Sequence, residues 1–150
     1  MFTLDLRGKT AAIFGVANRR SIAYGISQQL DAAGVRQAFT YQGDRIKEGV
    51  GKLAGEMKGS LLLECDVTRS ADLDLTFSDI KRKFGHIDYL VHSVAFANKE
   101  DLEGSFVNTS RDGFRTALEV SAFSMISMMR RAAPLMTNGG SAISLSYLGA

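Results

Sequence analysis

A short stretch near the start of the chain has residue types that can hold a phosphate group. An apolar run over 10–14 ends at Gly15, a polar loop follows, and Ser21 is a favourable N-cap for a helix. The first N–H groups of a helix lack internal partners, and the helix dipole adds positive potential there. Gly15 allows a tight turn, and Gly25 allows the helix to approach the strand or a ligand closely. The pattern predicts a pyrophosphate site, although a plain strand-to-helix turn has the same pattern.

Four later segments place polar or small residues directly after an apolar run. They are Tyr41-Gln42, Asp66-Val67, Ser93-Val94-Ala95 and Ser146-Tyr147. In parallel α/β sheets, ligands bind beyond the carboxyl ends of the strands, at the point where the strand order reverses. These segments and Gly15 are therefore predicted to surround a single site.

Histidine and cysteine residues do not indicate a metal site or a reactive thiol. His86 and His92 are the only histidines, and no paired carboxylates or thiols lie near them in the sequence. His92 ends an apolar run and is predicted to bond a backbone group. Cys65 is the single cysteine, so an internal disulfide is excluded and a reducing compartment is indicated. It is predicted to be an inert core thiol.

Strands and helices must alternate along the chain to position these residues. Apolar runs predict strands over 10–14, 36–41, 61–64, 87–92 and 142–145. Apolar residues at helical spacing predict helices over 21–33, 46–57, 73–84 and 110–132. The irregular segment 95–109 is long enough to be a functional loop.

The helical spacing also predicts which side chains share a face. In the first helix, one face carries Ile22, Ile26 and Leu30. In the last helix, the residues predicted to point inward are Phe114, Leu118, Met125, Met128 and Ala132.

Five strands joined by four crossover helices predict an α/β fold with a doubly wound parallel sheet, Rossmann-like, that stops after its fifth strand. A length of 150 residues suits one domain, so 1–150 is predicted to be a single dinucleotide-binding domain. The net charge of +2 and the scattered basic residues argue against a nucleic-acid partner. The apolar runs are too short to cross a membrane, and no signal peptide is evident. We therefore expect a soluble, cytoplasmic chain.

Five motifs in order along the chain resemble one known family. They are G-V-A-N-R-R-S-I-A-Y-G at 15–25, F-T-Y-Q at 39–42, C-D-V at 65–67, H-S-V-A-F-A at 92–97 and L-S-Y-L-G-A at 145–150. Together they resemble the bacterial NADH-dependent enoyl-acyl carrier protein reductases, a divergent branch of the short-chain dehydrogenase/reductases. The resemblance covers the whole chain and implies an oxidoreductase of fatty acid biosynthesis. Such an enzyme reduces the 2,3 double bond of an enoyl-acyl carrier protein thioester, and a homo-oligomer is implied for the complete enzyme.

The resemblance also implies which residues contact the cofactor. Those that would line the pyrophosphate and the nicotinamide ribose are Gly15, Ala17, Ser21 and Ile22. Those that would run beneath the nicotinamide ribose are Ser93, Val94 and Ala95. Family members often have glycine where Ala95 stands, and the additional methyl group could tighten the acyl pocket.

The adenosine end of the cofactor would lie beside Gln42 and Asp66. A dinucleotide fold often has an acid at the position of Gln42, where it binds the ribose 2′-hydroxyl. Gln42 is neutral, so NADPH is not excluded, and Arg45 and Lys47 could meet a 2′-phosphate; the resemblance favours NADH. Asp66, with the backbone of Val67, would hydrogen-bond the adenine. Asp66 also suits a turn that caps the next segment, and the two roles are compatible.

Tyr147 separates the enoyl reductases from the ordinary short-chain reductases, which have serine at this place. The resemblance implies that Tyr147 is catalytic and that Phe96 and Ala97 border the substrate. A phenol with an ordinary pKa near 10 is a poor base, but it can donate a hydrogen bond to an enolate. A strand-end tyrosine that shields the core is the alternative.

The family's Tyr-x6-Lys pair follows the last motif, and the sequence stops before it. We therefore expect this chain to be the N-terminal portion of a longer reductase and to be inactive alone. Two other functions stay open. One is a ketone- or alcohol-specific short-chain reductase, which the missing serine disfavours, and the other is a non-catalytic nucleotide-binding module.

Overall fold

The computed structural model describes residues 4–147, so the last three residues of the L-S-Y-L-G-A motif lie outside the described part. Five strands form one sheet, namely β1 (Thr10–Phe14), β2 (Arg36–Tyr41), β3 (Leu61–Glu64), β4 (Tyr89–His92) and β5 (Ser141–Ser144). Their spatial order is β3-β2-β1-β4-β5, and every neighbouring pair is parallel. This topology confirms the predicted doubly wound parallel sheet. The strand order reverses between β1 and β4, where such sheets bind ligands.

Helices connect the strands as the sequence predicts. They are α1 (Ile22–Ala32), α2 (Asp44–Gly55), α3 (Ser70–Phe84), α4 (Arg111–Leu118) and α5 (Ser124–Ala132). A π-turn at Glu119–Phe123 joins α4 to α5, so the predicted long helix is continuous but irregular. Short 3-10 turns occupy Lys99–Leu102 and Phe106–Asn108, inside the segment predicted to be a loop. No helix within 4–147 is both long and apolar enough to cross a membrane.

Strand β1 lies at the centre of the sheet and is buried on both faces. Its alternate side chains face opposite ways, so Ala11 and Ile13 join one half of the core and Ala12 and Phe14 join the other. The first half packs against α1 and α2, and the second packs against α3 and α5. Burial on both faces explains why β1 is a continuous apolar run rather than an alternating one.

On the long helix, only some of the residues predicted to point inward do so. Met128 and Ala132 are buried, and Met125 packs against the core, as predicted, but Phe114 and Leu118 are about half exposed, at 55% and 49%. The π-turn lies between the two groups and adds one residue to the helical turn. Because one residue corresponds to about 100° of helical rotation, the faces before and after the π-turn do not align.

The face of α1 that carries Ile22, Ile26 and Leu30 is buried only in part. Ile22 is exposed, whereas Ile26 and Leu30 pack against the core beside the buried Ala23 and Tyr24. A Cβ atom added to Gly25 would meet no described atom within 4 Å outside the nearby backbone of α1, so this glycine is not needed for contact with the strand, and its close approach to a ligand stays a prediction.

Candidate functional site

A cleft of about 430 Å³ opens at the carboxyl ends of the strands, beside the reversal of strand order. It is lined by residues that follow β1, β2, β3 and β4 and by the long helix. Nine predicted site residues line it, namely Gly15, Ala17, Gln42, Asp66, Val67, Ser93, Val94, Ala95 and Phe96. Strand ends that are far apart in the sequence therefore meet at one site, as the topology requires.

Four predicted site residues do not line the cleft: Ser21, Ile22, Ala97 and Tyr147. Ser21 and Ile22 begin α1 directly beside the loop that does line it. Ala97 is half-buried in the loop after β4. The side chain of Tyr147 is 91% exposed, so it does not shield the core in this structure.

Gly15 brings the end of β1 against the end of β4. Its backbone has φ +103°, a conformation that side-chain-bearing residues rarely adopt. A Cβ atom at this position would stand 2.0 Å from the carbonyl oxygen of Ser93. The amide of Ser93 in turn donates to the carbonyl of Phe14 at 2.9 Å. Glycine is therefore required both by the turn and by the narrow gap between the two strand ends.

The loop after β1 is organised by the Ser21 hydroxyl. Ser21 occupies the N-cap position of α1 but makes no side-chain bond to the helix. Instead its Oγ accepts from the amides of Ala17, at 3.0 Å, and Asn18, at 3.1 Å. The amides of Ile22 and Ala23 have no acceptor among the described residues, as expected for the first turn of a helix. These two donors and the helix dipole are available to an anion, and anion binding here stays a prediction.

The described cleft lining contains no lysine or arginine and one carboxylate, Asp66. Arg19, in the loop after β1, is bonded to Glu56 and donates to the hydroxyl of Tyr24 at 3.1 Å. Its guanidinium therefore ties the loop to the end of α2. An anion in this cleft would depend on backbone N–H groups and the dipole of α1 rather than on a cation.

The end of the cleft near β2 is exposed and carries Gln42, followed by Gly43 with φ +75°. Arg45 lies in the first turn of α2 and is exposed. The Lys47 ammonium stands 5.6 Å from the centre of the Tyr41 ring, within the range of a cation–π contact. Two cations thus lie close in sequence to the neutral Gln42.

Asp66 adopts the turn role that the sequence left open. Its Oδ1 accepts from the amide of Thr68 at 2.9 Å and from the Thr68 hydroxyl at 2.7 Å. Its own amide donates to the carboxylate of Asp72, on α3, at 3.1 Å. Next to it, burial raises the pKa of the Cys65 thiol to about 11, which agrees with the prediction of an unreactive cysteine.

His92 is fully buried at the end of β4, and its side-chain partners differ from the predicted backbone group. Nε2 lies 2.7 Å from the Ser124 hydroxyl and Nδ1 lies 3.0 Å from the Ser144 hydroxyl. Ser124 Oγ already donates to the carbonyl of Val120 at 2.6 Å, so it accepts from His92. The proton of the neutral ring is therefore on Nε2, and Ser144 donates to Nδ1. Burial lowers the pKa of His92, which favours the neutral ring.

Eight lining residues are not predicted from the sequence to contact the cofactor or the substrate: Val16, Thr40, Tyr41, Ile46, Cys65, Thr68, Thr116 and Val120. Of these, Tyr41 belongs to a strand end predicted to surround the site, and Cys65 is predicted only as a core thiol. Most are chain neighbours of predicted residues, and the rule about strand ends could have found them. Thr116 and Val120 are different, because they lie on the long helix and no local signal marks its cleft-facing side. Within 4–147, no group of three or more potential metal ligands is present.

Comparison with protein families gives one matching model. A family model described as enoyl-(acyl carrier protein) reductase matches residues 15–150. A Bacillus subtilis protein named enoyl-[acyl-carrier-protein] reductase [NADH] is 45% identical to this chain over 147 residues. The match covers 97% of this chain and 57% of that protein. The corresponding protein of Bacillus cereus is 48% identical over 146 residues, 96% of this chain and 57% of that protein. The chain thus spans a little over half the length of these relatives.

Solved structures give the same result. A Bacillus cereus enoyl-acyl carrier protein reductase, solved with NADP+ and indole naphthyridinone, superimposes with a TM-score of 0.92 and 47% identity. The match covers 97% of this chain and 57% of that one. An enoyl-(acyl-carrier-protein) reductase from Anaplasma phagocytophilum, solved in complex with NAD, has a TM-score of 0.91 and 38% identity, covering 97% and 56% of the two chains.

Proposed function

The chain belongs to the enoyl-(acyl carrier protein) reductase family, and we propose that its cleft binds NADH for the reduction of an enoyl thioester. The observation that carries the proposal is the meeting of nine predicted residues at the reversal of strand order. The substrate is proposed to be an enoyl group carried by acyl carrier protein, as the relatives' names state. We propose a cytoplasmic location on the same basis, and a homo-oligomer for the complete enzyme.

The residues of the cleft fit a dinucleotide. Gly15 starts the loop that would bring backbone N–H groups near the pyrophosphate, and the amides of Ile22 and Ala23, which have no acceptor among the described residues, would donate to it. The Ser21 hydroxyl oxygen accepts hydrogen bonds from two loop amides, so its own hydrogen is free to donate to the pyrophosphate. The proposal therefore gives Gly15, Ala17, Ser21 and Ile22 the pyrophosphate end of the cofactor.

The adenosine would lie toward β2 and β3. Asp66 uses Oδ1 for its turn, and its Oδ2 has no hydrogen bond to a described residue, so it is free to accept from an adenine amino group. Gln42 is neutral and exposed, so it offers neither an acid that repels a 2′-phosphate nor a cation that holds one. We propose a preference for NADH; a higher affinity for NADPH would assign 2′-phosphate binding to Arg45 or Lys47.

The nicotinamide would lie along Ser93, Val94 and Ala95, with Phe96 and Ala97 toward the substrate. When bound, NADH would supply a hydride to the β-carbon of the enoyl thioester, and the resulting enolate would then take a proton at the α-carbon. We propose that Tyr147 donates a hydrogen bond to the developing enolate oxygen, and its exposed hydroxyl is free to do so. In a form of the protein that turns over, Tyr147→Phe should lower the turnover of a crotonyl thioester by less than about 100-fold. Weakened NADH binding by this variant would make Tyr147 a structural residue instead.

Direct titration of the chain with NADH, followed by nicotinamide fluorescence, tests the proposed cofactor site. We expect saturable binding that Ala95→Phe abolishes, because Ala95 lines the cleft and a larger ring would fill its nicotinamide end. Ala71→Phe is the matched control, since Ala71 is exposed at the start of α3 and outside the cleft lining. Absence of saturable binding by the unmodified chain, or equal effects of the two variants, would overturn the proposal.

Turnover is a separate question. None of the four tyrosines in the 150 residues has a lysine seven positions later within the sequence, so the family's Tyr-x6-Lys pair, whose tyrosine polarises the thioester and whose lysine holds the nicotinamide ribose, is not present in these 150 residues. We therefore expect the chain to bind NADH without oxidising it when a crotonyl thioester is added. Steady oxidation that depends on the thioester would show that Tyr147 and the described cleft suffice for catalysis.

A further inference from the structure

The π-turn at Glu119–Phe123 lies against the wall of the cleft that the proposed function gives to the nicotinamide. Thr116 and Val120, on α4 and the π-turn, line the cleft opposite the strand ends. π-turns inside α-helices are rare and often occur at functional sites. Hydrogen bonds from this turn to the segment after β4 indicate what it does here.

Ser121 holds one end of that segment. Its Oγ accepts from the amide of Phe96 at 3.2 Å and lies 3.4 Å from the carbonyl oxygen of the same residue, to which it donates. One hydroxyl therefore satisfies both backbone groups of Phe96. The contact joins residues 25 positions apart in the sequence, and it is made in an exposed part of the chain where water could replace it.

Ser124 holds the other end. Its hydroxyl donates to the Val120 carbonyl and accepts from Nε2 of His92, in a fully buried position. His92 immediately precedes Ser93, whose backbone closes on Gly15. The anchored histidine ring therefore lies one residue before the backbone that closes on Gly15.

We infer that the π-turn and the first residue of α5 form a positioning element for the cofactor site. Ser121, in the turn, and Ser124, directly after it, fix the two ends of the segment from His92 to Phe96. The cofactor role in this inference rests on the proposed function, whereas the hydrogen bonds of Ser121 and Ser124 do not depend on it. Between the two anchors lie the three residues proposed to run beneath the nicotinamide ribose. The π-turn sets the distance from this segment to Val120, and hence the width of the cleft at that end.

The contacts can be measured by NMR spectroscopy without any ligand. The chain has two histidines, so the imidazole nitrogen signals of His92 can be followed with His86 as an internal reference. We expect Nε2 of His92 to be protonated and Nδ1 to be unprotonated, and Ser124→Ala should shift both signals and leave those of His86 unchanged. Ser121→Ala should speed the hydrogen exchange of the Phe96 amide.

The effect on the cofactor is measured by NADH titration of the same variants. We expect Ser121→Ala and Ser124→Ala each to weaken NADH binding about fivefold, the equivalent of one neutral hydrogen bond. Ser127→Ala is the matched control, because Ser127 is on the same helix and its hydroxyl makes no hydrogen bond to a described residue.

The two measurements separate the possible failures. Unchanged His92 nitrogen signals and unchanged Phe96 exchange would show that the π-turn does not hold the segment. Changed signals with NADH affinity equal to that of Ser127→Ala would show that it holds the segment without positioning the cofactor. Both results would overturn the inference. Failure of the unmodified chain to bind NADH would overturn the proposed function and the cofactor role together, while the NMR signals would still decide whether the contacts exist.

Discussion

At the scale of single residues, Gly15 and Asp88 hold the central strands together at opposite ends of the sheet. Gly15 lies at the carboxyl end of β1, where only hydrogen fits against the Ser93 carbonyl. Asp88 lies just before β4, is 2% exposed and ties the opposite end of the sheet. Its carboxylate accepts from the Thr10 amide at 2.9 Å and from Lys9 Nζ at 2.8 Å. His86 Nε2 is also 2.9 Å from it.

Replacement of Gly15 by alanine is expected to destabilise the fold by more than about 2 kcal/mol, because it adds a strained φ to a backbone collision. Chemical denaturation measures the free energy of unfolding. Gly55→Ala is the matched control, since a Cβ atom there meets nothing within 4 Å and the φ is not positive. That variant should be stabilised by up to about 1 kcal/mol through helix propensity. Equal stability of the two variants would contradict the close approach of β1 to β4.

Asp88→Asn is expected to lower the free energy of unfolding by about 2–4 kcal/mol at pH 7, because it leaves buried donors without a charged acceptor. Burial opposes ionisation of Asp88, but the hydrogen bonds from Lys9 and Thr10 outweigh it, so the pKa is lowered. The stabilisation is therefore present above the ordinary aspartate pKa of about 4 and is lost as the pH falls below it.

Denaturation midpoints between pH 7 and pH 3 measure this effect. The difference between the parent and Asp88→Asn should shrink as the solution becomes acidic. Asp79→Asn, which breaks the surface pair with Arg82, should change stability by less than about 1 kcal/mol at every pH. A difference in stability between the parent and Asp88→Asn that stays constant down to pH 3 would show that the charge of the Asp88 carboxylate does not contribute to stability.

At the scale of elements, the loop over 95–109 is fastened to the start of α4. Asp101 accepts from the Ser110 amide at 2.9 Å, and this hydrogen bond is the main reason that the pKa of Asp101 is lowered. Ser110 in turn caps α4 by accepting from the Gly113 amide at 3.0 Å. A Cβ atom on Gly113 would stand 1.6 Å from an Asp101 carboxylate oxygen, so any larger residue there must displace the carboxylate that accepts from Ser110.

Asp101→Ala and Gly113→Ala are therefore expected to release the same loop. The first removes the acceptor, and the second displaces it while adding helix propensity to α4. Hydrogen exchange of the Ser110 amide should accelerate in both, and the double variant should exchange no faster than either single one. Glu103→Ala, in the same loop, breaks the exposed contact with Lys99 and should leave exchange unchanged. Additive effects of the two substitutions would mean that Gly113 and Asp101 act independently.

At the scale of the whole molecule, the central strands are buried, whereas β5 and one face of the long helix are exposed to solvent. The buried residues of the sheet all lie on β1, β2 and β4, whereas all four residues of β5 are exposed. Within 4–147, β5 pairs with β4 alone. Along the long helix, four large apolar side chains are about half exposed: Phe114, Leu118, Phe123 and Ile126. Clustered apolar surface of this kind marks an interaction site more often than isolated exposed residues do.

The chain is accordingly expected to self-associate. Sedimentation velocity over a range of concentrations should show an average mass above 16.3 kDa that rises with concentration. Leu118→Glu should reduce it, because it places a charge within the apolar face of the long helix. Leu75→Glu is the control, since Leu75 is also exposed but lies on α3. A monomer at every concentration, or equal effects of the two substitutions, would contradict this expectation.

The sequence by itself determined the order of elements, the class of sheet and most of the cleft. Strands Arg36–Tyr41 and Leu61–Glu64 have the predicted bounds, because an apolar run between turn residues is a local signal. The position of Gln42, Asp66 and Ser93 around one cleft follows from topology, since parallel strands end at the same edge of a sheet.

The tertiary structure alone decided which side chains meet across elements. The partners of His92 are 32 and 52 positions away in the sequence, and no periodicity relates them. Thr116 and Val120 face the cleft, and Phe114 and Leu118 face outward, on a helix whose spacing predicts one continuous inward face. A π-turn adds one residue and rotates the face by about 100°, and the packing of the helix against α3 and the sheet, rather than its own sequence period, fixes where that residue is added.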